Sequence, residues 1–215
     1  MKPNYTHFSV IMDRSGSMSG IKRDTEGGLN TFFEDQKKVD GTATVSLTIF
    51  DDQIDSEYSF LDLKEVPQFV LHPRGGTALL DAIGITITKL GEKLASMNEK
   101  DRPEKVMVVI VTDGEENSSK EYTLDRIKAM ITEQEEAYKW EFVFLAANQD
   151  AITTAGSMGI KGSKAMTYAT TSKGIGDTYD SLSTQVSCFR SMKASDATFA
   201  FSDADRAKQA EEGVI

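Results

Sequence analysis

A single cysteine, Cys188, occurs among 215 residues. No disulfide can therefore close within the chain, and no cysteine cluster can hold zinc. No apolar run approaches the length of a membrane span. The amino terminus, MKPNYTHFSV, is too short and too polar for a secretory signal. Those two absences make a cytoplasmic protein the expectation, bacterial or, if phage-encoded, in the host cytoplasm. The phosphate-loop pattern Gly-x-x-x-x-Gly-Lys-Ser/Thr is missing, as are internal repeats and low-complexity linkers. Positive charge is also short: 24 Lys and Arg stand against 34 Asp and Glu, a net charge of −10. Unaided binding to nucleic acid or to an anionic membrane is disfavoured, whereas cations and basic partner patches suit such a surface.

What remains is a globular composition, 39% hydrophobic and 27% charged, in a chain long enough to bury a full core. Phe8 to Met12 reads as a buried strand, followed by a helix face at Ile21, Leu29, Phe32 and Phe33. Thr42 to Phe50 is a β-branched strand, and the extended stretch Ser56 to Leu63 follows too soon for a helical crossover. An antiparallel hairpin is forced there. Leu80, Ile83, Ile87, Leu90, Leu94 and Met97 step by three and four, the mark of a long amphipathic helix. Lys105 to Thr112 is nearly all Val, Ile and Met, as in a central parallel strand covered on both faces. A helical stripe at Leu124, Ile127, Ile131 and Tyr138 precedes a strand from Trp140 to Ala146. A short helical piece spans Ala151 to Met158, then a strand Ala165 to Thr170. The closing helix carries Ile175, Tyr179, Leu182, Val186 and Phe189. This βα alternation implies an α/β, doubly wound open sheet, whose ligands sit beyond the carboxyl ends of the strands.

Asp13 and Asp113 both fall at that edge. The first strand delivers Asp13, Ser15 and Ser17 in the order Asp-x-Ser-x-Ser; PRGGTALLDAI carries Thr77, and a strand ending in Thr-Asp-Gly carries Asp113. Magnesium demands six hard oxygen ligands and keeps several waters. Ser15, Ser17 and Thr77 offer neutral hydroxyls, and Asp13 and Asp113 offer carboxylates, directly or through water. Alternate spacing points odd-numbered side chains into one turn, Gly16 permits the tight backbone, and Gly75-Gly76 lets a second loop approach. Two carboxylates neutralise the ion, yet hydroxyls fill most protein positions. The metal stays electrophilic, with one open position for an acid from a partner protein. Manganese accepts the same oxygens as magnesium.

Together these motifs resemble a von Willebrand factor type A domain with an intact metal-ion-dependent adhesion site. The match lies at Asp13, Ser15 and Ser17, at Thr77, and at Asp113 in Thr112-Asp113-Gly114. It runs from about Tyr5 to Arg190, so 1–190 is expected to form the domain and 191–215 a tail with a short docking helix. The closest likeness is to stand-alone bacterial and phage members, where GGTALLDAI and ANQDA recur. The resemblance implies a mostly parallel six-stranded sheet in the order 3-2-1-4-5-6, strand 3 antiparallel, with helices on both faces. It also implies protein binding rather than catalysis, some members partnering AAA+ ATPases or serving stress and tellurite-resistance systems.

Two other functions stand beside that one. A magnesium-dependent hydrolase or phosphatase would need a base near the metal. No histidine or lysine is poised for it: His7 is expected before the first strand, far from the metal, and His72 as an ordinary loop residue. Self-assembly would use carboxylates of the tail, from Asp203 to Glu212, in a neighbour's site. Among the remaining residues, Asp51, Asp52 and Glu115 are expected to set a negative field or be solvated. Asp81 is expected to bond a loop or face the helix dipole. Asn148, Gln149 and Asp150 are expected to contact a partner or cap a helix. Met12, Met18 and Cys188 are expected to pack, as are Phe199 and Phe201 against their own domain, and Ser202-x-x-Asp205 to form a capping box.

Overall fold

The computed structural model describes residues 1–147 and 150–213. The chain runs β1 (Lys2–Asp13), α1 (Lys22–Lys37), β2 (Thr42–Phe50), β3 (Ile54–Asp62), α2 (Leu79–Ser96), β4 (Pro103–Thr112), α3 (Leu124–Tyr138), β5 (Glu141–Ala147), α4 (Ala151–Ser157), β6 (Ala165–Tyr168), α5 (Ser172–Ser191) and α6 (Asp203–Glu211). The strands form one six-stranded sheet in the order β3-β2-β1-β4-β5-β6. β3 is antiparallel to β2, and the other neighbours are parallel. Only Asp51, Asp52 and Gln53 separate β2 from β3, which leaves a hairpin as the available connection.

Alternation along β4 divides the core. Met107, Val109 and Val111 join the cluster that includes Leu29, Phe32 and Phe33 of α1 and Leu182, Val186 and Phe189 of α5. Val106, Val108 and Ile110 face the opposite cluster, with Ile83 and Ile87 of α2 and Ile127 and Ile131 of α3. A strand covered on both sides has no polar face, hence its unbroken apolar run. On α3 the buried stripe is shorter than the spacing predicts. Leu124 and Tyr138 are exposed, and the two isoleucines carry the contact.

β1 also begins earlier than Phe8: burial starts at Tyr5, after three exposed residues, and includes the polar Thr6 and His7. His7 is fully buried inside the strand. Its ring stacks on Phe60 at 3.8 Å, with Nδ1 2.8 Å from Thr44 Oγ1 and Nε2 3.2 Å from Ser46 Oγ. Burial pushes its pKa down to about 3, so the imidazole is neutral. Six residues of strand, about 20 Å, separate it from Asp13. Cys188 departs from expectation too: it is exposed on α5, between the buried Val186 and Phe189.

Beyond α5 the chain folds back. Phe199 and Phe201 meet edge to face at 4.9 Å inside the α1/α5 cluster. Ser202 and Asp205 form the capping box of α6. From α6, Gln209 Oε1 accepts the Ala169 N–H, and its Nε2 donates to the Gly174 carbonyl and to Thr178 Oγ1. No helix among the described residues is long and apolar enough to cross a membrane.

Candidate metal centre

The sheet order reverses between β1 and β4, opening a crevice at their carboxyl ends, the usual ligand position in such sheets. Asp13 closes β1 there, with no exposed surface. Its Oδ1 accepts the Ser15 N–H at 2.6 Å, and its Oδ2 accepts the Thr112 hydroxyl at 2.6 Å. Ser15 Oγ lies 3.0 Å from Ser17 Oγ, and the Ser17 hydroxyl donates to Asp113 Oδ1 at 2.6 Å. A run of hydrogen bonds thus links the two strand ends. Thr77 joins from the third loop: a Cβ placed on Gly114 would stand 3.4 Å from both Ser17 Oγ and Thr77 Oγ1. From below, the Tyr168 hydroxyl donates to the Thr112 carbonyl at 3.2 Å.

Local sequence explains how these loops meet. After Asp13 the chain makes a single 3-10 turn, Gly16–Gly20, pinned by the buried Met18. The Gly16 N–H donates to the Gly75 carbonyl and the Arg74 N–H to the Arg14 carbonyl, drawing the Thr77 loop against the first turn. Gly75 has φ of +67°, a conformation that favours glycine. At Gly76 a side chain would strike Ser118 Oγ. The segment 66–73 leading into this loop is an extended strap tied to α1. Asn30 pairs with both backbone groups of Phe69, at 2.8 and 3.0 Å, and Glu26 accepts the Leu71 N–H at 2.7 Å.

Asp51 was expected to be solvated or to supply field; it is instead wholly buried and acts as a staple. Its Oδ2 accepts from Arg14 Nε at 2.8 Å and Arg74 Nε at 2.6 Å, and Oδ1 accepts the Gln53 N–H. Its backbone carbonyl accepts the Ala78 N–H. One residue therefore ties the β2–β3 turn to both neighbouring loops. Burial pushes its pKa up, but the bonds from Arg74, Gln53 and Arg14 outweigh burial and hold it below the ordinary carboxylate value. Such a staple has no sequence signal, since its partners lie 23 and 37 positions away.

Asp13 and Asp113 behave oppositely. Burial raises Asp13 to about 6 against its bonds from Thr112 and Ser15, with the Asp113 charge adding to the rise. Burial also raises Asp113, despite the Ser17 bond. Two carboxyls that resist ionising beside three hydroxyls are an oxygen-only donor set whose ionised form a cation would stabilise. This set fits magnesium or manganese. Among the described residues no group of three or more His, Cys, Asp or Glu side chains gathers to hold a metal. This crevice differs by relying on hydroxyls.

The other expected edge residues sort plainly. Asp52 and Glu115 are exposed, as is His72. Asp81 bonds a loop, accepting the N–H groups of Lys120, Glu121 and Tyr122 at 2.7, 2.9 and 2.8 Å. Asp150 caps α4 through the N–H groups of Ile152 and Thr153; Asn148 and Gln149 lie outside the described residues. Asn117 went unrecognised in the sequence, although it bonds Thr77 directly.

No protein-family model matches the sequence, and no curated protein matches it. Solved structures do. Proximal thread matrix protein 1 from the mussel byssus, with a zinc-occupied MIDAS motif, matches with a TM-score of 0.60 at 10% identity, over 85% of this chain and 46% of that one. A von Willebrand factor type A protein from Catenulispora acidiphila gives 0.57 at 11% identity, covering 84% and 42%. The ArnB paralog VWA2 from Sulfolobus acidocaldarius gives 0.54 at 16%, covering 84% and 44%. The chain spans less than half the length of these proteins. At such identities the likeness is one of fold: the sheet and its helices follow the von Willebrand factor type A pattern.

Proposed function

We propose that the protein is a divalent-cation-dependent protein-binding module in which Asp13, Ser15, Ser17, Thr77 and Asp113 hold magnesium, or manganese in its place. The observation that carries this reading is the hydrogen-bonded run from Asp13 through Ser15 and Ser17 to Asp113, with Thr77 Oγ1 and Ser17 Oγ both 3.4 Å from the Cβ position of Gly114. The zinc-occupied MIDAS motif of the mussel protein, on a like fold, supports it. A bound ion would supply an electrophilic position open to one carboxylate oxygen. The chain's own residues do the rest. Asp51, Arg14 and Arg74 hold two loops in register, and the exposed Ser17 leaves the crevice open to solvent. An Asp or Glu of a partner protein is the matching ligand.

Catalysis finds less support. Among the described residues no histidine or lysine hydrogen-bonds any of the five, and His7 is sequestered within β1. The reading is of a receptor, acting in the cytoplasm.

Titration calorimetry with magnesium and manganese tests it. Wild type is expected to bind one ion, and Asp13→Ala and Thr77→Ala to bind none while keeping their circular dichroism. Capture of a partner from lysate should require the ion; capture undiminished in excess EDTA defeats the proposal.

A further inference from the structure

The loop after β4, residues 114–122, reads GEENSSKEY. Its first apolar side chain is Tyr122, so burial does not hold most of it in place. Polar bonds to the start of α2 do. Glu116 accepts the N–H groups of Leu80, Ser118 and Ser119 and the Ser119 hydroxyl. Ser119 Oγ accepts the Asp81 N–H at 3.0 Å, and Asp81 returns three bonds to 120–122. Tyr122 ends the loop by lying against Gly84, where a side chain would strike its ring.

Asn117 sits at the centre of this clasp. Its Oδ1 accepts the Thr77 N–H at 2.9 Å, and its own N–H donates to the Thr77 carbonyl at 3.1 Å. One residue thus grips both peptide groups flanking the Thr77 Cα. Fixing both peptide planes fixes the direction of the Cα–Cβ bond, and a β-branched side chain has little χ1 freedom left. The Thr77 hydroxyl is thereby aimed without being touched.

We propose that Asn117 is a positioning residue for the metal centre, orienting Thr77 Oγ1 through this two-point clamp. Thr77 and Asp113 then belong to one hydrogen-bonded unit, spanning the α2 start and the loop that follows Asp113. The proposal rests on the reading of the crevice as a metal centre. It assigns the clamp to an acceptor oxygen and a backbone N–H, so aspartate can replace asparagine but alanine cannot.

Asn117 is exposed, so Asn117→Ala is expected to fold. Its thermal midpoint in EDTA should match wild type, while manganese affinity by calorimetry falls by about ten- to a hundredfold, the usual scale for residues that orient ligands. Asn117→Asp should retain wild-type affinity, and exchange of the Thr77 amide should accelerate in the alanine variant alone. Equal affinity in wild type and Asn117→Ala overturns the clamp, as does equal loss in both variants or a loss tracked by the midpoint. If wild type itself binds no ion, the metal centre falls. The Thr77 exchange then still judges the clamp: unchanged exchange in the alanine variant rejects it.

Discussion

Asp51 shows how much a single side chain can organise. It is buried between Arg14, itself buried, and the half-exposed Arg74. Arg14 keeps its second carboxylate, Asp55, when Asp51 loses its charge, and Arg74 can turn to solvent. Asp51→Asn should therefore cost what a lost charged hydrogen bond costs, about 1–3 kcal/mol in urea melts, and weaken ion binding as well. A variant of unaltered stability would mean that the guanidiniums find other partners. Titration adds a second residue-scale prediction, for the protein in EDTA. His7 is held down to about 3 by burial, so the unfolded chain protonates first and stability is lost as pH falls below about 6.5. Asp13, raised to about 6, works the other way: its contribution is full below about 4 and is lost as pH rises through 6. Between pH 6 and 4 the two oppose. Asp13→Asn removes one of them, so its stability advantage over wild type should shrink by about 2 kcal/mol from pH 7 to 4. Parallel curves would refute the assignment.

Elements decide what the residues can reach. β1 and β4 end side by side because the sheet reverses order between them. The hairpin of β2 and β3 then places Asp51 beside both loops. Periodicity predicted most of these elements, since buried strands and helix faces repeat at 2.0 and 3.6 residues. It misjudged the start of β1, where His7 is polar yet buried, its cost offset by the hydroxyls of Thr44 and Ser46 on β2. It also left the closing segment loosely defined. Phe199 and Phe201 are core residues, so Phe199→Ala should cost about 3–5 kcal/mol, and deletion of 192–215 should destabilise the whole domain. A truncated protein melting like the full chain would show that the segment only rests on the surface.

At the scale of the whole molecule, ion binding and folding are linked by mass action. A ligand of the native state at a hundred times its dissociation constant adds about 2.7 kcal/mol. Magnesium should raise the thermal midpoint of wild type and leave Thr77→Ala unmoved; equal shifts in both would point to non-specific screening of the net charge of −10. Sequence alone determined the βα alternation and the antiparallel hairpin, and it supplied the five oxygen-bearing residues proposed to hold the ion. Each depends on local spacing or on a motif carried within one short segment. Tertiary structure decided the rest: the staple at Asp51, the clamp of Asn117 on Thr77 and the ties of Gln209 to Ala169 and Gly174. Those contacts join positions tens of residues apart, and no local pattern encodes a bond whose partner is brought near only by the fold.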